Sequence, residues 1–537
     1  MNLFYKFWFM LAHINYKAGI PTPKTAATML FILLVTAISI NLLSTILVML
    51  NILKLTIHLI PANILLWLPL VCYIFRGFIK KLERVSRCES ELIYLITLIS
   101  ASDEPPLRML YLVKDSSIFH FSKEMRLSEK LESLLAVNKV NALKLLARTH
   151  PSPLVSKFLE DVINFEYLSS TTSIVRSKLI ELIRDLKTKL EIIDTQIINL
   201  ADIMFNLLIT VPCMLTTTML MVAESIETIL LINTILSIVT GIIMYSITSS
   251  LSPSLLRIDI TRRTIAKFLT ILIISSLLLH MIYHNVLNLC NKLWLDLLLL
   301  SIIASLVTSI PVYHLSNKLS KIAYAIPSLM REIIDRLNIG EELNVILYRI
   351  DHLKFPEIFF LKEFRARINA FGIREAFNWL MKLEIPLSVK YIFEILKYAV
   401  IYGTKPKEFE SLLYTSIEVA SLRKSLVQKL LPLVFYSTIG LLFYTMIPSL
   451  IVKYVFYKLP ITGVSVTFPL LIPNSDNVLL MLSISAIISS ITLSLILGSM
   501  RDGHFIFGLK YLPLLLLSSY LGMYLVFNTH IFDVIIG

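Results

Sequence analysis

The sequence predicts an all-α, polytopic membrane protein with about nine transmembrane helices and two homologous cytoplasmic helical-bundle domains. Of its 537 residues, 56% are hydrophobic and only 16% are charged, and the mean hydropathy is +0.77. A soluble protein of this length would expose far too much apolar surface at that composition. The apolar residues form long uncharged runs, and the order of runs and charged regions occurs twice along the chain. Leucine- and isoleucine-rich runs, in a chain with only 13 glycines, favour helices over strands.

Nine apolar runs are long enough, or nearly so, to cross a bilayer, whose hydrocarbon core of about 30 Å requires about 20 residues of helix. The runs are residues 26–50, 55–75, 199–222, 226–248, 265–285, 294–315, 431–452, 478–498 and 508–528. The first run is too long for the apolar part of a secretory signal and has no small-residue cleavage site after it. It is therefore predicted to remain in the protein as a membrane span.

The distribution of lysine and arginine predicts the orientation of the spans. Residues 76–198 and 316–430 carry a charge every few positions, so neither region is predicted to lie in lipid. With a cytoplasmic N-terminus, nine spans place both regions and the short segments 249–264 and 499–507 on the cytoplasmic side, and the C-terminus outside. All lysines and arginines except four then lie on the cytoplasmic side or at cytoplasmic span ends. The exceptions are Lys54, Lys292, Lys453 and Lys458. A multi-pass protein of the cell membrane is therefore predicted.

The chain contains an internal repeat. Two spans, a charged region and two further spans make up residues 26–248. The same order makes up residues 265–498 at an offset of about 234 residues, and one extra span follows. In this register residues 141–160 align with residues 375–394. The predicted domains are the N-terminus with two spans (1–75), the first cytoplasmic domain (76–198), four spans (199–315), the second cytoplasmic domain (316–430) and three spans (431–537).

Both charged regions are predicted to be bundles of about five helices. Apolar residues recur there every three or four positions, and no alternating strand pattern competes. Gly340, Gly372 and Gly403 stand between helical stretches of the second region, where a residue with positive φ ends a helix. In the first region Asn138 stands at the position of Gly372. Asparagine is the next-best residue after glycine for a conformation with positive φ, so Asn138 is predicted to adopt it.

The last helix of each charged region is predicted to continue into the membrane span that follows it. These helices are residues 172–198, which lead into the third span, and residues 407–430, which lead into the seventh. No breaker interrupts either junction before Pro432, which could start or kink a helix. A continuous helix of this kind would carry a push on the cytoplasmic domain directly into the bilayer.

The sequence shows no catalytic, cofactor-binding or metal-binding motif, and the chain is predicted not to be an enzyme and to carry no cofactor. It has no Walker A motif, glycine-rich phosphate loop, HExxH or GxSxG. His280 and His284 have the i, i+4 spacing of metal ligands, but no carboxylate flanks them within the helix, so they are interpreted as an interfacial polar face. The four cysteines occur singly and are interpreted as small buried hydrophobes.

Ionisable residues are nearly absent from the middle of the apolar runs. A secondary transporter usually keeps such groups at mid-membrane, so this absence argues against a transporter and against a membrane-embedded hydrolase. A transporter or permease and a membrane-bound enzyme or sensor stay open as alternatives. The net charge of +13 suits the anionic headgroups of the lipid bilayer or an acidic protein partner. Nucleic acid is not predicted as a partner, because no basic-aromatic platform accompanies the charge.

A glycine followed by an alanine- or leucine-containing helix marks the turns of the second charged region, at residues 339–343, 371–377 and 402–403. The first region keeps this pattern only at residues 138–142. With these turns, a helical cytoplasmic domain placed twice between membrane helices resembles the type II secretion F-domain family. This family comprises the platform proteins of type II secretion, type IV pilus, Tad-type pilus and archaellum machines. The resemblance covers about residues 89–222 and 325–452, and the span arrangement is similar to that of archaeal members.

The resemblance implies a platform without a catalytic site, a homodimer that binds a hexameric secretion ATPase in the cytoplasm and moves pilin subunits into a filament. Basic residues on the two membrane-proximal long helices are the candidates for ATPase docking. They are Arg176, Lys178, Arg184, Lys187, Lys189, Arg423, Lys424 and Lys429. The alternative for these residues is a surface that faces solvent or lipid headgroups.

Overall fold

The computed structural model describes residues 56–101, 104–167, 205–222, 226–251, 256–286, 293–403, 409–454 and 475–528, together with scattered positions between 181 and 203. These residues form helices, and their only strand-like pairing is an isolated bridge between Ile258 and Pro386. The all-α prediction is therefore confirmed for this part of the chain. The first predicted span, residues 26–50, lies outside the described residues.

The first half of the chain contributes seven described helices. They are α1 (Thr56–Ala101), α2 (Pro106–Leu112), α3 (Phe121–Leu135), α4 (Lys139–Thr149), α5 (Pro153–Tyr167), α6 (Val211–Val222) and α7 (Ile226–Leu251). A 3₁₀ turn at Val113–Asp115 follows α2, and a π-helical turn at Asn206–Thr210 leads into α6.

The second half contributes ten described helices. They are α8 (Arg262–Val286), α9 (Leu293–Asn338), α10 (Leu343–Arg349), α11 (Leu361–Phe371), α12 (Ile373–Met381), α13 (Leu387–Tyr402), α14 (Phe409–Lys429), α15 (Leu431–Ile451), α16 (Ser475–Arg501) and α17 (Leu512–Asn528). Two 3₁₀ turns, at His352–Lys354 and Phe505–Lys510, stand between helices.

The elements of the two halves correspond in order, and several of them correspond in length. Helices α1 and α9 are both 46 residues long, and α2 and α10 are both seven residues long. A three-residue 3₁₀ turn comes after each of the two short helices. Further along, α5 has 15 residues and α13 has 16. We call the part from α1 to α5 the first unit and the part from α9 to α14 the second unit.

The change from apolar to charged sequence at residues 76 and 316 falls inside α1 and α9, not at the end of a helix. Gly77 and Pro311 lie near these points without ending either helix. Packing against neighbouring helices supplies most helical stability in proteins and outweighs the weak preference of a single residue. Each unit therefore begins on a helix that starts in an apolar segment.

Three helices among the described residues are long and apolar enough to cross a membrane. They are Leu293–Asn338, Leu412–Tyr454 and Asp476–Arg501, with lengths of 46, 43 and 26 residues. The second of these joins α14 to α15, which only Leu430 separates. Two shorter apolar helices, Ser237–Thr248 and Leu512–Asn528, pack beside them.

The turn residues differ in how they end their helices. Gly340, Gly372 and Gly403 have φ of 94°, 84° and 89°, in the region that favours glycine. Asn138 is instead extended, with φ −71° and ψ 163°, and its side chain accepts a hydrogen bond of 2.8 Å from the backbone N–H of Asn141. The expectation of a left-handed Asn138 is therefore wrong. Asparagine serves here as the N-cap of α4, and Ala136, at φ 51°, is the left-handed residue.

The two units share one hydrophobic core. Every residue of α1 from 88 to 99 is buried, and so is every residue of α13 from 388 to 396. A helix that is buried around its whole circumference lies in the interior of a fold, not at its surface. Helices α1 and α13 therefore form the centre of the body that the two units build together.

Candidate functional site

The carboxylate of Glu91 lies at the contact between the two units. It is buried on α1 and accepts hydrogen bonds from the backbone N–H groups of His120 and Phe121, both at 2.8 Å. These N–H groups begin α3, and the side chain of the N-cap residue His120 makes no capping hydrogen bond. Free N–H groups at a helix N-terminus favour a negative group, so Glu91 caps α3 from a neighbouring helix.

Tyr391 connects this cap to the second unit. Its hydroxyl group donates a hydrogen bond of 2.7 Å to Glu91. Its ring lies against Tyr94 of α1, with centroids 4.9 Å apart, and against Phe119 before α3, with centroids 5.0 Å apart. About two turns further along α13, the hydroxyl group of Tyr398 donates to the backbone carbonyl of Leu112 at 3.2 Å. Helix α13 is thus fixed to the first unit by polar and aromatic contacts together.

The ionisation of Glu91 makes this contact sensitive to pH. Burial raises the pKa of Glu91 from 4.5 to about 7, although the three hydrogen bonds that it accepts favour the carboxylate. The pKa of Glu91 is higher in the folded protein than in the unfolded chain. The contribution of Glu91 to the free energy of unfolding is therefore fully present below pH 4.5 and is lost as the pH rises through 7. We expect the free energy of unfolding of the wild type, relative to Glu91→Gln, to fall by about 2 to 3 kcal/mol between pH 5 and pH 8.

Denaturant titrations of the two purified proteins in detergent micelles, at four pH values in this range, measure the difference. Neighbouring histidines such as His120 also titrate, but they do so in both proteins, so their contribution cancels. If the difference in the free energy of unfolding between the wild type and Glu91→Gln stays constant from pH 5 to pH 8, the raised pKa of Glu91 is contradicted.

A second buried polar group lies beside Glu91 in the first unit. Arg84 donates two hydrogen bonds of 2.7 Å to the two oxygens of Glu124. Cys88 and His150 complete a cluster with Glu124 whose possible metal-ligating atoms lie within 4.8 Å of one another. The guanidinium group of Arg84 already engages both carboxylate oxygens, and burial raises the pKa of the Cys88 thiol. The arrangement therefore favours a buried ion pair with a neutral thiol over a bound cation.

Two connecting segments join the apolar helices to the second unit. Residues 256–261, between α7 and α8, run beside the start of α13. Arg257 accepts a backbone hydrogen bond of 3.0 Å from Leu387, and Asp259 forms an ion pair with Lys390. The Glu384 carboxylate accepts hydrogen bonds from the residues that begin α8.

Residues 502–511, between α16 and α17, form the second connection. Asp502 accepts hydrogen bonds of 2.6 Å from Lys510 and 2.8 Å from Tyr511. Lys510 also donates to the hydroxyl group of Ser316 on α9, at 3.2 Å. The carbonyl of Gly503 accepts a hydrogen bond of 3.4 Å from Ile258, so the two connecting segments contact each other. Both segments therefore lie at the end of the apolar helices where the two units lie.

The structure describes four of the eight predicted docking residues. Arg184, Lys424 and Lys429 are exposed. Arg423 is buried, with 5% of its surface exposed. The other four residues lie outside the described part of the chain; they are Arg176, Lys178, Lys187 and Lys189.

The burial of Arg423 has a signal in the sequence. Val419, Leu426 and Leu430 stand four residues before it and three and seven residues after it, and all three are buried. This spacing puts Arg423 on the apolar face of α14, whereas Lys424 is rotated about 100° away from it. Glu91 had no comparable signal, because an acidic residue at the start of an apolar stretch also suits a surface position.

No protein-family model, curated protein or solved structure matches this chain.

Proposed function

We propose that the chain is the membrane platform of a type IV pilus-like, archaellum or type II secretion machine. In this role it couples a cytoplasmic hexameric secretion ATPase to the extraction of pilin subunits from the membrane and to filament assembly. The proposal rests on the continuity of the long helices. Helix α9, with 46 residues, is about 70 Å long, more than twice the hydrocarbon core of about 30 Å. More than half of it therefore extends beyond any bilayer that it crosses and packs in the shared core.

The joined helices α14 and α15 support the same proposal from the other end of the second unit. The run Leu412–Tyr454 has 43 residues, with charged residues in its first part and an apolar second part. A displacement of the second unit would therefore reach the membrane through two rigid helices, α9 and α14–α15. Helix α13 would transfer the displacement to the first unit through Tyr391 and Glu91.

The full topology is part of the proposal. It has about nine spans, with the N-terminus and both helical domains in the cytoplasm and the C-terminus outside. Residues 256–261 and 502–511 contact the second unit, and these segments fall within or beside the short regions rich in lysine and arginine that the sequence assigns to the cytoplasm. Contact with the units and positive charge thus favour the same side of the membrane. The matching element order supports a duplicated unit, and the platform is proposed to act as a homodimer without an active site.

The exposed basic residues of the long helices are proposed as the ATPase-docking surface. Replacement of Arg184, Lys424 and Lys429 together by glutamate should weaken co-purification of the proposed secretion ATPase partner by about tenfold or more, because like charges then face each other. The measurement is a pull-down from detergent-solubilised membranes with quantification of the bound ATPase.

The matched control is Arg374→Glu, which reverses an exposed positive charge on α12, away from the long helices. This variant should bind the ATPase as the wild type does, and all variants should reach the membrane in equal amounts. Unchanged ATPase binding by the triple variant would refute the docking surface.

A further inference from the structure

A cavity of about 890 Å³ lies at the contact between the two units and the connecting segments. Its walls come from α1, the residues before α3, the first turns of α3, residues 257–260, the start of α13 and residues 503–505. Five basic side chains line it; they are Arg87, Lys123, Arg126, Arg257 and Lys390. Tyr245 and Ser499, in the last turns of α7 and α16, place the cavity beside the ends of two apolar helices.

Acidic side chains balance only part of this charge. Glu83 forms an ion pair with Arg87, and Asp259 forms one with Lys390. The third acid in the wall, Glu91, is occupied by the cap of α3 and by Tyr391. Arg257, Lys123 and Arg126 form no salt bridge among the described residues, so the cavity keeps an excess of positive charge.

Arg257 is the most unusual of these bases. Its Nη2 atom is buried and has no hydrogen-bond partner in the part of the chain that the structure describes, and the same holds for Nε of Arg87. Burial and the neighbouring charge of Arg87 lower the pKa of Arg257 to about 10, still well above neutral pH. A buried guanidinium nitrogen without an acceptor is costly, because desolvation of the donor is not compensated. The cost would be removed by an anion that accepts from both arginines.

His120, one of two histidines in the wall, lies in the electrostatic field of these basic side chains. Burial lowers the pKa of His120 to about 3, with further lowering by Lys123 and Arg87. His120 is therefore neutral near pH 7 and adds no charge to the cavity. A neutral imidazole still offers an N–H donor to an anion, so the wall combines fixed cations with a neutral donor.

We propose that this cavity binds the phosphate group of a larger molecule, a phosphate monoester or diester, with Arg257 as its main ligand. Arginine side chains match the oxygens of a phosphate group better than lysines do, because the guanidinium fork donates to two oxygens at once. The volume is in the range of small-molecule sites, roughly 300 to 1,000 Å³, and exceeds what a bare phosphate ion fills. Both a lipid headgroup and a soluble phosphate ester have this chemistry.

The bound group would join three parts of the protein. Arg87 belongs to the first unit, Arg257 to the connection between α7 and α8, and Lys390 to the second unit. A ligand that binds only when these parts are assembled stabilises the assembled state by mass action. Binding should therefore raise the thermal stability of the protein, and the rise should depend on Arg257.

The test uses the purified full chain in detergent. The probes are short-chain phosphatidylglycerol, soluble glycerol phosphate and inorganic phosphate, and binding is followed by the shift in melting temperature and by native mass spectrometry. We expect saturable binding of one molecule per chain by at least one of the two esters. Arg257→Gln should weaken that binding by about tenfold or more, and Arg257→Lys by a smaller factor, because lysine keeps the charge and loses the fork.

Two further variants make the result specific. Lys123→Gln changes an exposed residue at the rim, where the fold is not at risk, and should weaken binding by a few fold. Arg263→Gln removes an exposed charge near the same helix ends but outside the cavity wall, and should leave binding unchanged. Binding of the lipid alone, or much tighter binding of the lipid than of glycerol phosphate, would identify a headgroup as the source, and binding of glycerol phosphate alone would identify a soluble ester. The proposal is overturned if neither ester binds saturably, or if Arg257→Gln and Lys123→Gln both bind like the wild type.

Discussion

Alanine at Gly508 is expected to prevent the chain from accumulating as a folded protein. Gly508 lies in the 3₁₀ turn between α16 and α17, and a Cβ atom added there would stand 1.8 Å from the carbonyl oxygen of Ser494 and 2.5 Å from its carbonyl carbon. Both are backbone atoms inside α16, so they cannot rotate away as a flexible side chain can. Gly498, on α16, makes the reciprocal close approach, with its added Cβ 2.1 Å from the backbone nitrogen of Gly508. The substitution must separate α16 from the turn, at a cost of about 3 kcal/mol or more.

Gly340→Ala is the matched control for this prediction. Gly340 has a φ of 94°, but an added Cβ there meets no atom within 4 Å. Only the backbone conformation is penalised, by about 1 to 2 kcal/mol. Size-exclusion profiles and melting curves of the two variants in detergent should therefore differ widely. Wild-type yield and melting temperature for Gly508→Ala would contradict the close packing of the turn on α16.

A flexible insertion between α14 and α15 is expected to abolish filament assembly while ATPase binding is retained. Four residues, Gly-Gly-Ser-Gly, placed after Leu430 would replace a junction that now passes from helix to helix within one residue. Glycine-rich segments behave as flexible coils and transmit little force or torque. Under the proposed function, movement of the second unit would no longer reach α15. The measurements are filament counts by electron microscopy and co-purification of the ATPase.

The same four residues inserted after Gly340 form the control. This position is an exposed turn between α9 and α10, with Ile339 82% exposed, so the helices on either side keep their contacts. Assembly should continue in this variant. Normal assembly with the insertion after Leu430 would exclude α14–α15 as the connection between the motor and the membrane.

The helical elements followed from the sequence because their signals are local. The apolar run predicted at residues 431–452 forms the helix Leu431–Ile451. Helix α9 ends at Asn338, two residues before the predicted turn residue Gly340. Hydropathy and turn residues act within a few positions, so a single sequence carries them. The same local rules failed at Asn138, since capping and left-handed geometry favour the same residue types.

Neither the continuity of α1 and α9 nor the site between the two units could be predicted from the sequence. The change from apolar to charged residues at 76 and 316 predicts domain boundaries, but apolar and charged residues both suit a helix, so α1 and α9 continue through these points. Glu91 and Tyr391 are 300 positions apart, and their hydrogen bond exists only once α13 packs on α1. The cavity around Arg257 likewise requires three distant segments to meet.

The common side of the two units is the claim on which the proposed motor coupling depends. Single cysteines at Ser133 and Asn369, both exposed, report on the first and second units in a variant without the four native cysteines. A third cysteine at Leu293, where α9 begins, reports on the predicted outer surface. A membrane-impermeant maleimide should label Leu293→Cys in intact cells, and Ser133→Cys and Asn369→Cys only in inverted vesicles. Labelling of Ser133→Cys and Asn369→Cys from opposite sides, or of both in intact cells, would contradict the platform.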